Sequence, residues 1–239
     1  NVHLPAGARL WIYAADAAGK ATPEPHELAG PYGSEINKVH GEFWTPVLPF
    51  GDVIIELDVP VDQRFSASLE LARVNRGYRG FGEVIEGYMQ TDIADGEGKR
   101  QPDCGKGSFG AKSGTCNMDV ACLADDDPWN APRRSVARYT LQGTALCTGA
   151  LINNTANDRR MLFATATHCG VDDSNDASVV AYWNYEWPSC RTPGSAASGQ
   201  VNPPNASQTS SGATLLAATS SPFFGDGQCD TPGDCSDFT

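Results

Sequence analysis

A histidine at the end of an apolar run is the residue best suited to chemistry in this chain. Residues 161–166 read Met-Leu-Phe-Ala-Thr-Ala, which predicts a buried strand, and His168 follows within Thr-Ala-Thr-His-Cys-Gly at 165–170. A neutral imidazole can take a proton from a hydroxyl group and return it to a leaving group. Cys169, directly after the histidine, can anchor the turn to a neighbouring strand. His168 is therefore the candidate general base, and the alternative is a histidine that only packs at a strand end.

A general base needs an orienting acid and a nucleophile. Asp237 is the candidate acid, because a buried carboxylate can fix the histidine tautomer and stabilise the imidazolium. The alternative is a loop aspartate, and Asp226, Asp230 and Asp234 compete for the same role. No Gly-x-Ser-Gly segment follows Asp237. We therefore expect the nucleophilic serine and its oxyanion hole to lie outside this chain, and the 239 residues alone to be inactive.

The cysteines indicate an oxidising compartment. Eight occur and no two form a Cys-x-x-Cys pair, so disulfides in a secreted or periplasmic protein are favoured over a zinc or thioredoxin motif. Cys147 lies in a second predicted strand, 145–152, which can lie beside the one that ends at His168. A bridge from Cys147 to Cys169 is one possibility, and a free Cys147 thiol with His168 as its base is the other. No metal or other cofactor is predicted.

The net charge argues against two classes of partner. The formal net charge is -12, which argues against nucleic acid and anionic membranes, because phosphate contacts need a basic surface. No apolar stretch approaches the length of a membrane span. The five lysines all lie in residues 1–112, whereas residues 113–239 contain six arginines and no lysine.

The apolar pattern predicts an all-β protein in two parts. Alternating apolar residues at 53–59 and 65–71 predict strands of a β-sandwich in a first domain, 1–90. Residues 91–114 are rich in glycine and charge, which predicts an exposed processing linker, with a simple tether as the alternative. A second domain covers 115–239. The strands predicted there are 136–141, 145–152, 161–166, 178–185 and 213–218.

Six colinear segments carry a family resemblance. They are 113–122 (Ser-Gly-Thr-Cys-Asn-Met-Asp-Val-Ala-Cys), 134–139, 147–155, 179–185, 211–215 and 236–239. Together they resemble the bacterial lysyl endopeptidases, which are trypsin-like serine peptidases. Looser matches at 4–10, 43–47 and 74–82 resemble the end of the family's propeptide. The resemblance implies a propeptide-type β-sandwich, then the first β-barrel half of a chymotrypsin-like two-barrel fold, truncated before the second.

The resemblance also implies roles for individual residues. It makes His168 the general base and Asp237 its orienting acid. It implies that Cys116 pairs with the missing second barrel, and it offers no counterpart for Cys104. The implied disulfides are Cys147–Cys169, Cys122–Cys190 and, in an apparent insertion before the acid, a local pair of Cys229 and Cys235.

The lysine distribution fits this family. A peptidase that cuts after lysine gains from a lysine-free mature domain, and cleavage between Lys112 and Ser113 would release that domain. We therefore predict a secreted serine endopeptidase precursor that cuts proteins or peptides after Lys or Arg, with its own propeptide and the missing C-terminal half of the peptidase domain as partners. The alternative is a non-catalytic secreted β-rich binding protein on a degenerate peptidase framework.

Overall fold

The computed structural model describes residues 1–16, 18–22, 28–48, 51–75, 118–195 and 208–218. The regular elements of these residues are β-strands and short 3-10 helices. The all-β prediction is confirmed, and the fold is consistent with a chymotrypsin-like architecture. Among the described residues, no helix has the length and apolar character needed to cross a membrane. The linker predicted at 91–114 lies outside the described residues, so the domain boundaries stay a prediction.

The described N-terminal region forms a four-stranded antiparallel sheet around one central strand and a separate two-stranded sheet. Its strands are β1 (Val2–His3), β2 (Arg9–Ala15), β3 (Ala21–Thr22), β4 (Leu28–Tyr32), β5 (Val53–Asp58) and β6 (Ser68–Leu69). β2 pairs with β3, β4 and β5, while β1 pairs separately with β6. Alternate residues of β2, namely Leu10, Ile12 and Ala14, are buried, as the two-residue period of a strand requires. Leu10 packs in a core with Leu4 and Ile36.

The strand predicted at 65–71 is wrong for most of its length. Only Ser68–Leu69 is a strand, and the Phe65 side chain is 88% exposed with the Arg64 guanidinium over its ring. Backbone hydrogen bonds from Gln63 to Pro60 and from Ser66 to Gln63 close turns here instead. Turn formation therefore overrides the alternating pattern.

A five-stranded sheet carries the histidine. Its strands are β7 (Val136–Leu141), β8 (Ala145–Ile152), β9 (Leu162–Thr165), β10 (Val180–Trp183) and β11 (Thr209–Ser211), in the order β11-β10-β7-β8-β9. β7 and β8 join through a tight turn at Gln142 and Gly143, whose φ values are 52° and 67°, as in hairpin turns that match the strand twist. β8 and β9 are antiparallel, with Gly149 opposite Thr165. This register brings the end of β9 beside β8.

The strand predicted at 213–218 is also wrong, because β11 lies earlier at Thr209–Ser211. The residues that follow bond to the segment before β10. The Gly212 amide donates to the Val179 carbonyl at 2.8 Å, and the Leu215 amide donates to Asp176 Oδ2 at 2.7 Å. The Asp176 carboxylate therefore holds these residues out of the sheet.

The chain divides into two compact units. The described residues of the first are those within 1–75, together with 138–181 and 209–218, and those of the second are 118–137, 182–195 and 208. Within the first unit, Ser211 Oγ donates to the Trp44 carbonyl at 2.7 Å, and Asn75 Nδ2 donates to the Gln142 carbonyl. The N-terminal segment therefore contacts the sheet that carries the histidine.

Candidate active site

His168 lies in a single 3-10 turn directly after β9. The turn spans Thr167–Cys169 and ends at Gly170, whose φ of 76° is left-handed, a conformation that favours glycine. The Cys169 and Gly170 amides donate to the Ala166 and Thr167 carbonyls, both at 3.0 Å. His168 is exposed to solvent. His168 therefore lies at the protein surface, on a hydrogen-bonded turn at the end of a strand.

A disulfide ties this turn to β8. Cys147 and Cys169 are bonded, with their Cα atoms 6.1 Å apart, and this is the pair that the family resemblance implied. The two sulfur atoms and one ring nitrogen of His168 lie within 4.8 Å of one another. Because both sulfurs are in the disulfide, neither is a thiolate that could bind a metal or attack a substrate. The alternative of a free Cys147 nucleophile is therefore not realised in this structure.

A chain of hydrogen bonds crosses three strands beneath the turn. The hydroxyl of Tyr139, on β7, lies 3.0 Å from Thr165 Oγ1 on β9. Thr165 Oγ1 in turn donates to the Thr148 carbonyl on β8 at 2.9 Å. Because a carbonyl only accepts, the single Thr165 proton points to Thr148, and Tyr139 donates to Thr165. Burial raises the pKa of Tyr139, so this hydroxyl keeps its proton and remains a donor.

Gly149 makes room for an aromatic ring beside this hydrogen-bond chain. A Cβ at Gly149 would lie 2.5 Å from two ring carbons of Phe163 and 2.6 Å from the Ala164 carbonyl oxygen. The Phe163 ring meets the Tyr139 ring edge-on, with centroids 5.8 Å apart. Glycine within a strand often marks such a close approach. The packing of Phe163 therefore requires glycine at position 149.

The second unit contains an ion pair between Asp119 and Arg191. The Asp119 carboxylate accepts hydrogen bonds from the Arg191 backbone amide at 3.0 Å, from Nε at 2.8 Å and from Nη2 at 2.5 Å. The hydrogen bond from the Arg191 side chain lowers the pKa of Asp119. The Arg191 guanidinium also lies 4.1 Å from the centroid of the Trp187 ring. A disulfide between Cys122 and Cys190 stands next to this ion pair in the sequence, and it is the second pair that the resemblance implied.

The site lies within a region that matches known proteins. Residues 110–224 match a family model described as lysyl endopeptidase, C-terminal domain. Over 172 residues the chain is 25% identical to the lysyl endopeptidase of Pseudomonas aeruginosa. Over these residues the chain is similar to the lysyl endopeptidase family. The alignment covers 66% of this chain and 33% of that relative, so the chain spans about a third of the relative's length.

The match to the lysyl endopeptidase domain contains His168 and both disulfides, and it ends before Asp237. Several candidate residues lie outside the described residues and stay predictions: Asp237, Lys112, Ser113, Cys229 and Cys235. Tyr139 and Thr165 lie within the segments 134–139 and 165–170, but these motifs assign no role to either residue. Thr165 opens the Thr-Ala-Thr-His segment, and Tyr139 lies at a buried position of β7. The contact between these two residues could be found only once the strands are placed side by side.

Proposed function

We propose that this chain is part of a secreted serine endopeptidase precursor in which His168 is the general base. One observation carries this proposal: an exposed histidine stands on a turn held by the Cys147–Cys169 disulfide, inside the segment that matches the lysyl endopeptidase domain. In the proposed reaction the imidazole takes the proton of a serine hydroxyl as its oxygen attacks the peptide carbonyl. The imidazole then gives that proton to the leaving amine, and a water molecule hydrolyses the acyl-enzyme in the same way.

Asp237 is the proposed orienting acid. Its carboxylate would accept a hydrogen bond from the His168 ring nitrogen that faces away from the serine, and this would fix the tautomer of the imidazole. The chain carries no Gly-x-Ser-Gly segment, so the proposal assigns the nucleophilic serine to residues outside these 239. Secretion or periplasmic export is part of the same proposal. The two disulfides support it, because such bonds persist in oxidising compartments.

Cleavage after lysine is the proposed specificity, with arginine as the competing choice. Two observations support this specificity. Residues 113–239 contain no lysine, and the chain is similar to a Pseudomonas protein named lysyl endopeptidase. We propose that the precursor releases its peptidase domain by cutting between Lys112 and Ser113. N-terminal sequencing of the processed protein tests this, and a start far from Ser113 contradicts it. Lys112→Gln should block processing, whereas Lys112→Arg should block it only if the enzyme rejects arginine.

Labelling of the full-length protein by a serine-directed fluorophosphonate tests the activity. We expect labelling after linker cleavage, because the probe needs a serine activated by its base. His168→Ala should abolish labelling, and His3→Ala, which removes another exposed histidine, should not. A processed, folded wild-type protein that takes up no probe would contradict the enzyme. That result would favour the non-catalytic binding protein.

A further inference from the structure

The buried hydrogen bonds beneath the turn join β7, β8 and β9, the strand that leads into His168. We propose that Tyr139 and Thr165 are positioning residues, which hold the turn so that the His168 imidazole meets its proton donor and acceptor. This inference rests on the proposed function of His168 as general base. Neither residue is proposed to touch the substrate.

The Thr165 hydroxyl contacts both sides of the turn. Thr165 stands two residues before the turn begins at Thr167, and its Oγ1 fixes that entry through Tyr139 on β7 and the Thr148 carbonyl on β8. The same oxygen lies 3.6 Å from Sγ of Cys169, the last residue of the turn. Thr165 Oγ1 therefore contacts the chain on both sides of His168: before the turn through Thr165 itself, and at its end through Cys169.

Tyr139 makes this arrangement rigid. It is 1% exposed, and the Phe163 ring packs against its own ring edge-on. Because Tyr139 donates to Thr165, the Thr165 hydroxyl keeps its proton directed to Thr148. Tyr139 lies on β7, two strands away from β9 in the sheet, so it ties the histidine's strand to the middle of the sheet.

A small displacement of a general base has a large effect on rate, since a misplacement of about 1 Å can cost about 100-fold. We expect Thr165→Val, which removes the hydroxyl and keeps the side-chain shape, to lower kcat about tenfold. KM should stay unchanged, because the residue is remote from bound substrate. Thr165→Ser restores the hydroxyl and should restore kcat. Tyr139→Phe should lower kcat in the same direction.

The experiment compares these variants in the processed full-length protein, at a temperature where all of them are folded. Thr140→Val is the matched control, because Thr140 is a buried hydroxyl on the same strand as Tyr139 and points to the opposite face. The inference predicts that Thr165→Val and Tyr139→Phe lose kcat and that Thr140→Val does not. Equal kcat in Thr165→Val and Thr140→Val would overturn it. If Thr165→Val does not fold, Tyr139→Phe decides between the two outcomes.

A second measurement separates this inference from the proposed function. The chain has four histidines, so the ring signals of His168 in an NMR spectrum of the 239-residue protein can be assigned by their loss in His168→Gln. Thr165→Val should shift or broaden those signals, and Thr165→Ser and Thr140→Val should leave them in place. Unmoved His168 signals in Thr165→Val would overturn the positioning role. If the His168 signals move in Thr165→Val but the processed full-length wild-type protein has no peptidase activity, the positioning role is supported and the proposed peptidase function is contradicted.

Discussion

Removal of the Cys147–Cys169 disulfide should lower the free energy of unfolding. The size of the loss depends on the number of residues between the two cysteines. The two cysteines are 22 residues apart in sequence. In the chain-entropy account, a bridge of that separation lowers the entropy of the unfolded chain by an amount worth about 3 kcal/mol. The Cys122–Cys190 bridge spans 68 residues and is worth about 4 kcal/mol by the same account. The difference of about 1 kcal/mol follows from the ratio of the two loop lengths.

Urea unfolding of two double variants measures these free energies. Cys147→Ala with Cys169→Ala should lose about 3 kcal/mol, and Cys122→Ala with Cys190→Ala should lose about 1 kcal/mol more. Mass spectrometry of each variant checks that the other of these two bridges is intact. If removal of the shorter bridge costs as much as removal of the longer one, loop closure is not the source of the stabilisation.

The two bridges should also differ in their effect on activity. Only the Cys147–Cys169 bridge ends on the turn that carries His168. In the processed full-length protein, its loss should lower kcat at temperatures where the variant is still folded. Loss of the Cys122–Cys190 bridge should change stability with little change in kcat. Equal losses of kcat in the two double variants would contradict a local role for the bridge.

Two further predictions concern packing and pH. Gly149→Ala should lower the free energy of unfolding by about 1–3 kcal/mol, because its methyl group would meet the Phe163 ring. An equal loss in Gly51→Ala, where nothing lies within 4 Å of the new Cβ, would contradict this. Arg191 lowers the pKa of Asp119 below its ordinary value of 3.8, so the carboxylate stabilises the fold above pH 3.8 and loses that contribution as the pH falls through the lowered pKa. Asp119→Asn should therefore flatten the acid limb of the stability–pH curve, and an unchanged limb would show that the pair is not the cause.

Local sequence patterns predicted the strands around the histidine well. The bounds predicted for 136–141 and 145–152 are those of β7 and β8, and β9 lies within the predicted 161–166. These strands have apolar residues bounded by turn residues, and Gln142 and Gly143 form the tight turn between β7 and β8. Here the local preference of the chain and its packing in the sheet agree, which is the condition under which sequence specifies structure.

The two wrong strands fail for a common physical reason. A local apolar pattern shows that a segment can be a strand, but a strand also needs a partner for its backbone hydrogen bonds. Near Phe65 the backbone bonds within turns. After Ser211 the Leu215 amide bonds to the Asp176 carboxylate. Those partners come from turn geometry or from a side chain distant in sequence, and neither is visible in the apolar pattern of the segment itself.

The same limit explains why the motif identified His168 but not the residues of β7 and β8 that contact its strand. The motif is a contiguous segment, whereas Tyr139, Thr148 and Thr165 meet only because β7, β8 and β9 lie side by side in the sheet. Mutagenesis restricted to residues 165–170 would therefore test His168 and Thr165 but miss Tyr139 on β7. If the position of His168 is set across three strands, a hydroxyl removed from β7 should affect catalysis more than an equally buried hydroxyl on the opposite face of that strand. Tyr139→Phe against Thr140→Val makes this comparison.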